Sequence, residues 1–292
     1  MARMLVTGAK GMVGSYVPRA FAEHELLATD IDTLDVRSPE AVEAAFQAFK
    51  PELLLHLAAA TDVDRCQQEP DWAFRSNAAA TENLASACAR HGTLMVYTST
   101  GAVFKGDRPA PYAESDPTAP SNVYAASKLA GEEAVRGLLQ RYFIVRAGWI
   151  FGGVGADKKF VGKIAAQIAS GKTELMAVDD KHGTPTYAKD LLEHIRRILK
   201  TDSFGLFHGG NAGSATRYDV ALEIVRVMGR KDVRVVPVSS DRFPMPSPRA
   251  NEALNNDRMR LLGLEPPRPW QDALAEYLQS EVLPSLKPPP GH

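Results

Sequence analysis

The sequence predicts an α/β protein: a Rossmann-like, doubly wound parallel sheet carrying a smaller, interleaved α/β lobe. Three observations predict it. Strand-like and helix-like runs alternate from residue 3 to residue 146, the pattern of parallel strands joined by crossover helices. The first strand runs straight into a glycine-rich turn, Gly8-Ala9-Lys10-Gly11-Met12-Val13-Gly14. An apolar strand, Leu94 to Thr100, ends in a hydroxyl and is followed by a helix with Tyr124 and Lys128 four residues apart.

Composition narrows the class. The 292 residues are 45% apolar and 24% charged, an ordinary globular profile with enough chain for a large core. A net charge of -1 gives no support for nucleic acid or an anionic membrane as a partner. The N-terminus passes from Met1 into a strand with no basic, apolar leader, and no apolar run reaches the roughly 18 residues of a membrane span. Cys66 and Cys88 have no metal-ligand spacing and read as reduced thiols, so the expected location is cytoplasmic. The seven histidines form no HxxxH or HxH pattern, and no metal is assigned.

Taken in order, Arg3–Thr7 is a buried strand and the turn that follows is GxxGxxG. Gly8 allows the tight turn, Gly11 lets a pyrophosphate approach the backbone, and Gly14 lets the next helix, expected over 15–24, pack closely. The N–H groups at that helix start attract phosphate, so Gly8, Lys10, Gly11, Met12 and Val13 are candidate cofactor contacts. The second strand, Glu25 to Thr29, ends at Asp30, twenty-two residues past Gly8. A carboxylate there accepts hydrogen bonds from the adenosine ribose diol, favouring NAD over NADP. Lys10 and Arg37 could still serve a 2′-phosphate, so both dinucleotides stay open. Asp35 and Val36 follow as further candidate contacts. A helix then runs from Ser38-Pro39-Glu40 to Lys50, with Ser38 as its N-cap and Pro39 in its first turn.

The third strand, from Pro51 to Leu57, leads into Ala58-Ala59-Ala60-Thr61. Small residues at a strand's carboxyl end leave room for a flat ligand, so Leu57, Ala58, Ala59 and Ala60 are cofactor candidates. Thr61 and Val63 are substrate candidates, although the 62–66 segment also fits a plain lead-in to a helix. His56, mid-strand, reads as a core histidine. Residues 71–91 read as helix, 94–100 as strand, 124–140 as helix opened by Pro120-Ser121-Asn122, and 143–146 as strand.

Tyr124 and Lys128 share one helix face. An ammonium near a phenol favours the phenolate and lowers its pKa from about 10 toward neutral. Such a tyrosine exchanges a proton with a carbonyl or alcohol oxygen. Thr100 can hydrogen-bond the same oxygen, and Thr98, on the same strand, is a cofactor candidate. Thr100, Tyr124 and Lys128 are the catalytic candidates.

The second lobe has an amphipathic helix over 160–170, a short strand at 175–178, a loop at 182–186 and a helix over 187–200. A strand at 205–208 and a helix over 218–228 capped by Thr216 follow. An apolar run over 233–238, a proline-rich loop over 243–248 poised over the cleft, and a final helix from Trp270 complete it, ahead of a frayed tail over 287–292. No repeat or low-complexity linker separates the lobes. Residues 1–150 with about 184–210 are therefore assigned to dinucleotide binding, and about 151–183 with 211–292 to substrate binding.

Together, the glycine turn, the Leu57–Ala60 strand end, Thr100 and the Tyr124-x-x-x-Lys128 pair resemble an extended short-chain dehydrogenase/reductase. Five further stretches bring the resemblance to the dTDP-4-dehydrorhamnose reductase family over nearly the whole chain: Pro51–Asp64, Ser99-Thr100, Tyr124–Glu132, Arg146–Trp149 and Gly183–Thr186. The resemblance implies reduction of the C4 ketone of a nucleotide-linked 6-deoxy sugar by NADPH or NADH. It implies that Tyr124 protonates the oxygen, Lys128 holds the nicotinamide ribose, Thr100 orients the carbonyl, Asn77 lies near the cofactor and Trp149 lines the sugar pocket. A homodimer is compatible with it.

Two departures stand out. The family pattern carries Asp-Tyr after the catalytic-strand threonine, where this chain has Gly101-Ala102; near the C-terminus its Arg-Pro-x-Asn becomes Pro248-Arg249-Ala250-Asn251. Ala102 and Asn251 are substrate candidates at these departures. An epimerase or dehydratase would use the same Tyr and Lys, although Gly101-Ala102 lacks a dehydratase's acidic pair. A non-catalytic, cofactor-binding regulatory homologue is the remaining alternative, against which the intact Thr100, Tyr124 and Lys128 argue.

Overall fold

The computed structural model describes residues 1–247 and 250–286. Pro248 and Arg249 of the departing motif, and the tail over 287–292, lie outside the described residues. Six parallel strands form the main sheet: β1 (Arg3–Thr7), β2 (Glu25–Thr29), β3 (Leu53–His56), β4 (Leu94–Thr100), β5 (Tyr142–Ala147) and β7 (Gly205–His208). Their order is β7-β5-β4-β3-β1-β2. The chain reverses direction of winding between β1 and β3. In an open parallel sheet that switch point is where ligands lie, at the carboxyl ends of the strands.

Strand alternation divides the core into two layers. Met4, Val6, Leu53, Leu55, Val96, Phe143 and Val145 face one side, with Val17, Phe21 and α5 (Ala188–Leu199) against them. Leu5, Leu54, Met95, Tyr97 and Ile144 face the other, covered by α1 (Pro39–Phe49), α2 (Ala80–His91) and α3 (Val123–Leu138). The helix starts follow the capping residues. Ser38 Oγ accepts from Ala41 N at 3.2 Å, and Asn122 Oδ1 accepts from Ala125 N at 2.9 Å.

A second core gathers α4 (Phe160–Ala169), β6 (Glu174–Val178), α6 (Arg217–Val227), β8 (Arg234–Val238) and α7 (Trp270–Tyr277). Here β6 and β8 pair in parallel. Thr216 caps α6 in a capping box with Asp219. The chain enters this core after β5, returns to the main sheet for α5 and β7, then leaves again, so the two cores interleave.

Three expectations need correction. The helix expected over 15–24 is only a 3-10 turn, Gly14–Tyr16, and one α turn, Val17–Ala20. Pro18 has no N–H to extend the ladder, and Phe21 leaves helical geometry at φ -126°. The helix expected over 71–91 is continuous but passes through a π turn, Arg75–Ala79. The 182–186 loop holds two short strand pairs instead, His182–Gly183 with Ala215–Thr216 and Thr186–Tyr187 with Ile150–Phe151.

Candidate active site

One cleft of 2110 Å³ runs along the carboxyl ends of the strands and between the two cores. Pockets for a single small ligand measure about 300–1,000 Å³, so this one has room for two large ligands. It is lined by Gly8, Lys10, Gly11, Met12, Val13, Asp30, Asp35, Val36 and Leu57–Ala60 at one end. At the other it is lined by Thr61, Val63, Thr98, Thr100, Ala102, Tyr124, Lys128, Trp149 and Asn251. Only Asn77, among the sequence candidates, is absent from the wall. It is buried, and its amide brackets Ala60 by accepting from Ala60 N at 2.8 Å and donating to Ala60 O at 3.1 Å. Its role is to fix the strand end, from inside the π turn, and it donates also to Ser127 Oγ at 3.0 Å. π turns of this kind recur at functional sites.

The glycine turn fits a phosphate-bearing ligand. Gly8 has φ +74°, and a Cβ there would lie 2.7 Å from Ala58 N, against the end of β3. Only glycine allows both. A Cβ at Gly11 would meet only Gly8 O, at 3.2 Å, so that position faces space a ligand can use. Asp30 Oδ2 accepts from Lys10 N at 2.9 Å and Oδ1 from Ile31 N at 2.8 Å. The basic groups beside it are engaged. Lys10 Nζ lies 2.5 Å from Asp32, and Arg37 makes a bidentate pair with Asp35 at 2.8 Å. The Lys10 ammonium therefore answers Asp32 rather than Asp30.

Thr100 and Tyr124 line the cleft together, with the threonine hydroxyl close enough to act on the phenol. Burial pushes the Tyr124 phenol above its ordinary value, the nearby Thr100 hydroxyl opposes this, and the Glu252 charge adds to it. The spacing to Lys128 predicts the opposite direction; here desolvation dominates. Lys128 donates from Nζ to Thr98 O at 2.9 Å and sits 4.2 Å from the Tyr97 ring centroid. With only 3% of its surface exposed, it is held down to about 7 by burial. His56 is the expected core histidine, bridging Thr7 and Thr81.

Beneath this site lies an ion pair that the sequence reading missed. Glu132 accepts from Arg146 Nε at 2.8 Å and NH2 at 2.6 Å, from Ser99 Oγ at 2.6 Å and from Arg136 at 2.9 Å. It thus ties α3 to the ends of β4 and β5. Two signals were available: an arginine closing an apolar strand needs a buried partner, and Glu132 is one turn beyond Lys128 on the same helix face.

At the substrate end Trp149 has φ +42°, unusual for a non-glycine residue. Its ring lies 3.7 Å below the Arg217 guanidinium, and its Nε1 donates to Glu252 Oε1 at 2.5 Å. Asn251 spends its amide on the backbone, accepting from His182 N at 2.7 Å and donating to Gly106 O at 3.2 Å. The proline-rich loop does reach the cleft through Phe243, Pro244, Met245 and Ser247, and Ser247 N donates to Asp64 at 3.3 Å. Among the described residues no group of His, Cys, Asp or Glu is arranged to hold a metal ion, and no helix is long and apolar enough to cross a membrane.

A sequence profile of the RmlD substrate binding domain matches residues 2–282. The chain is 37% identical to a dTDP-4-dehydrorhamnose reductase of Mycobacterium tuberculosis, over 94% of this chain and 92% of the relative. It is 38% identical to a probable dTDP-4,6-dihydroxy-2-methyloxan-3-one 4-ketoreductase of Streptomyces antibioticus, over 98% of each. A crystal structure of the Bacillus anthracis dTDP-4-dehydrorhamnose reductase in complex with NADP superposes with a TM-score of 0.91 at 33% identity, covering 96% of this chain and 99% of that one.

Proposed function

We infer the reaction from membership: the chain belongs to the RmlD family, the family of the dTDP-4-dehydrorhamnose reductases. It is an NAD(P)H-dependent oxidoreductase that reduces the C4 ketone of a nucleotide-linked 6-deoxy-4-keto sugar. The observation that carries this reading is that Thr100, Tyr124, Lys128 and the glycine turn line one cleft.

A nicotinamide dinucleotide, when bound, supplies the hydride. The chain's own residues do the rest. Gly8 and Gly11, with the backbone of Met12 and Val13, would hold the pyrophosphate, and Asp30 the adenosine ribose. Ala58–Ala60, fixed by Asn77, leave space for the flat part of the ligand. Thr100 accepts or donates at the sugar oxygen and sets its direction. Tyr124 donates its proton to that oxygen; a phenol kept protonated by burial is the correct form for the reductive direction. Lys128 orients the ligand from the neighbouring turn of α3. Thr61, Val63, Ala102 and Trp149 would line the sugar. Residues 1–150 with about 184–210 serve the dinucleotide, and about 151–183 with 211–292 the sugar.

Both dinucleotides are accepted with a modest NADH bias, since Lys10 and Arg37 are already paired with carboxylates. The enzyme acts in the cytoplasm, where Cys66 and Cys88 stay as buried free thiols. The test is consumption of NADH or NADPH with a panel of 4-keto nucleotide sugars. Turnover of at least one 4-keto-6-deoxy sugar is expected; inertness toward all of them, with dinucleotide still bound, would favour a regulatory role.

A further inference from the structure

We propose that Glu252 is a specificity-determining residue, accepting a hydrogen bond from the sugar hydroxyl on the carbon next to the ketone. The proposal rests on the ketoreductase reading above and adds a residue to it. Segment 251–254 lies across the carboxyl end of the sheet, held from both sides. Glu252 N donates to His182 O at 2.8 Å, Ala253 O accepts from Tyr112 N at 2.8 Å, and Leu254 N donates to Thr184 Oγ1 at 2.9 Å. The Glu252 backbone is thereby fixed, and its carboxylate reaches the cleft wall beside the catalytic candidates.

Three features make the carboxylate a built part of the site. First, Trp149 holds it through Nε1 at 2.5 Å, and Trp149 is itself locked in a left-handed backbone conformation beneath Arg217. Backbone strain of this kind clusters at ligand sites. Second, residue 252 lies beside position 101, which adjoins the catalytic candidate Thr100, and the Glu252 charge acts on the Tyr124 phenol. Glu252 thus lines the same cleft as the proton donor Tyr124 and the carbonyl-orienting Thr100. Third, position 101 cannot easily supply the same acid. A Cβ on Gly101 would lie 3.0 Å from Glu252 O and 3.1 Å from the Leu254 side chain. The acid at 252 and the glycine at 101 thus belong together: the segment that carries Glu252 fills the space a side chain at 101 needs.

A carboxylate can accept about four hydrogen bonds, so Glu252 can hold the indole and a sugar hydroxyl together. Hydrogen bonds to a charged acceptor are stronger than neutral ones, and a buried polar group deprived of its partner is costly. A substrate lacking that hydroxyl should therefore be disfavoured about 10- to 100-fold in kcat/KM. Glu252→Gln keeps the size, and its carbonyl oxygen can still accept from Trp149.

The experiment compares a 4-keto-6-deoxy nucleotide sugar with its 3-deoxy analogue, using the whole chain as wild type and as Glu252→Gln. Dinucleotide affinity, measured alongside, reports that the variant is folded. The proposal predicts that wild type discriminates at least tenfold, and that the variant loses most of this by slowing on the hydroxylated sugar alone. An equal loss on both sugars would show that Glu252 only positions Trp149 and would overturn the proposal. So would a wild type that treats the two sugars alike. Turnover of neither sugar by wild type would remove the ketoreductase reading itself, and this inference with it.

Discussion

Replacing Glu132 with alanine should destabilise the fold rather than alter the chemistry directly. Glu132 has no exposed side-chain surface and Arg146 only 1%. The substitution removes the acceptor of two Arg146 hydrogen bonds and of one from Ser99. Arg146 NH1 already lacks a hydrogen-bond partner, so the guanidinium would be left as an uncompensated buried charge. Breaking such a pair costs about 3–5 kcal/mol. At roughly 2–4 °C per kcal/mol for a chain of this size class, the midpoint of thermal unfolding should fall by about 6–20 °C. The double variant Glu132→Leu with Arg146→Met should recover most of the loss, because apolar replacement of a whole buried pair is often neutral. Thermal and urea unfolding of the three proteins reads this out. A single variant within about 1 kcal/mol of wild type, or a double variant no better than the single, would refute the reasoning.

Three other outcomes follow from the cleft. Gly11→Val should keep the fold, since a Cβ there meets only Gly8 O at 3.2 Å, yet abolish dinucleotide binding; unchanged affinity in a fluorescence titration would exclude this turn as the phosphate site. Asp30→Ala should move the NADPH-to-NADH ratio of kcat/KM about fivefold toward NADPH, equivalent to about 1 kcal/mol, and an unmoved ratio would show that Asp30 serves only its Lys10 and Ile31 amides. Burial holds Lys128 at about 7 against an ordinary 10.5, so between those values the unfolded chain binds a proton that the folded chain does not. Stability of the cofactor-free protein should then rise with pH across that window and be lowest below pH 7. Lys128→Met should flatten the rise, and a pH dependence identical to wild type would contradict the assignment.

The strands and the glycine turn were legible because each announces itself locally. Apolar β-branched runs, Gly8 at a tight turn, Ser38 and Thr216 as caps, and the four-residue spacing of Tyr124 and Lys128 need no knowledge of distant chain. What stayed hidden depends on partners far away in sequence. Trp149 and Glu252 are 103 residues apart, and Tyr16 donates to Glu281 at 2.6 Å across 265 residues. No periodicity encodes such pairs. Asn77 shows a different limit: its place beside the cofactor segment follows from resemblance, but its task of bracketing Ala60 appears only when the π turn swings its amide toward β3. Spacing reports a neighbour's charge and says nothing of desolvation, and burial is the largest influence on the Tyr124 phenol.

The role of Tyr124 is tested most directly by comparing wild type with Tyr124→Phe at saturating NADPH, following the C4 ketone of a dTDP-4-keto-6-deoxy sugar by NMR. The substitution removes one hydroxyl and leaves the ring in place, so dinucleotide affinity should stay within about twofold while reduction of the ketone slows by roughly 10² or more. Reduction by Tyr124→Phe at the wild-type rate would show that the proton comes from elsewhere.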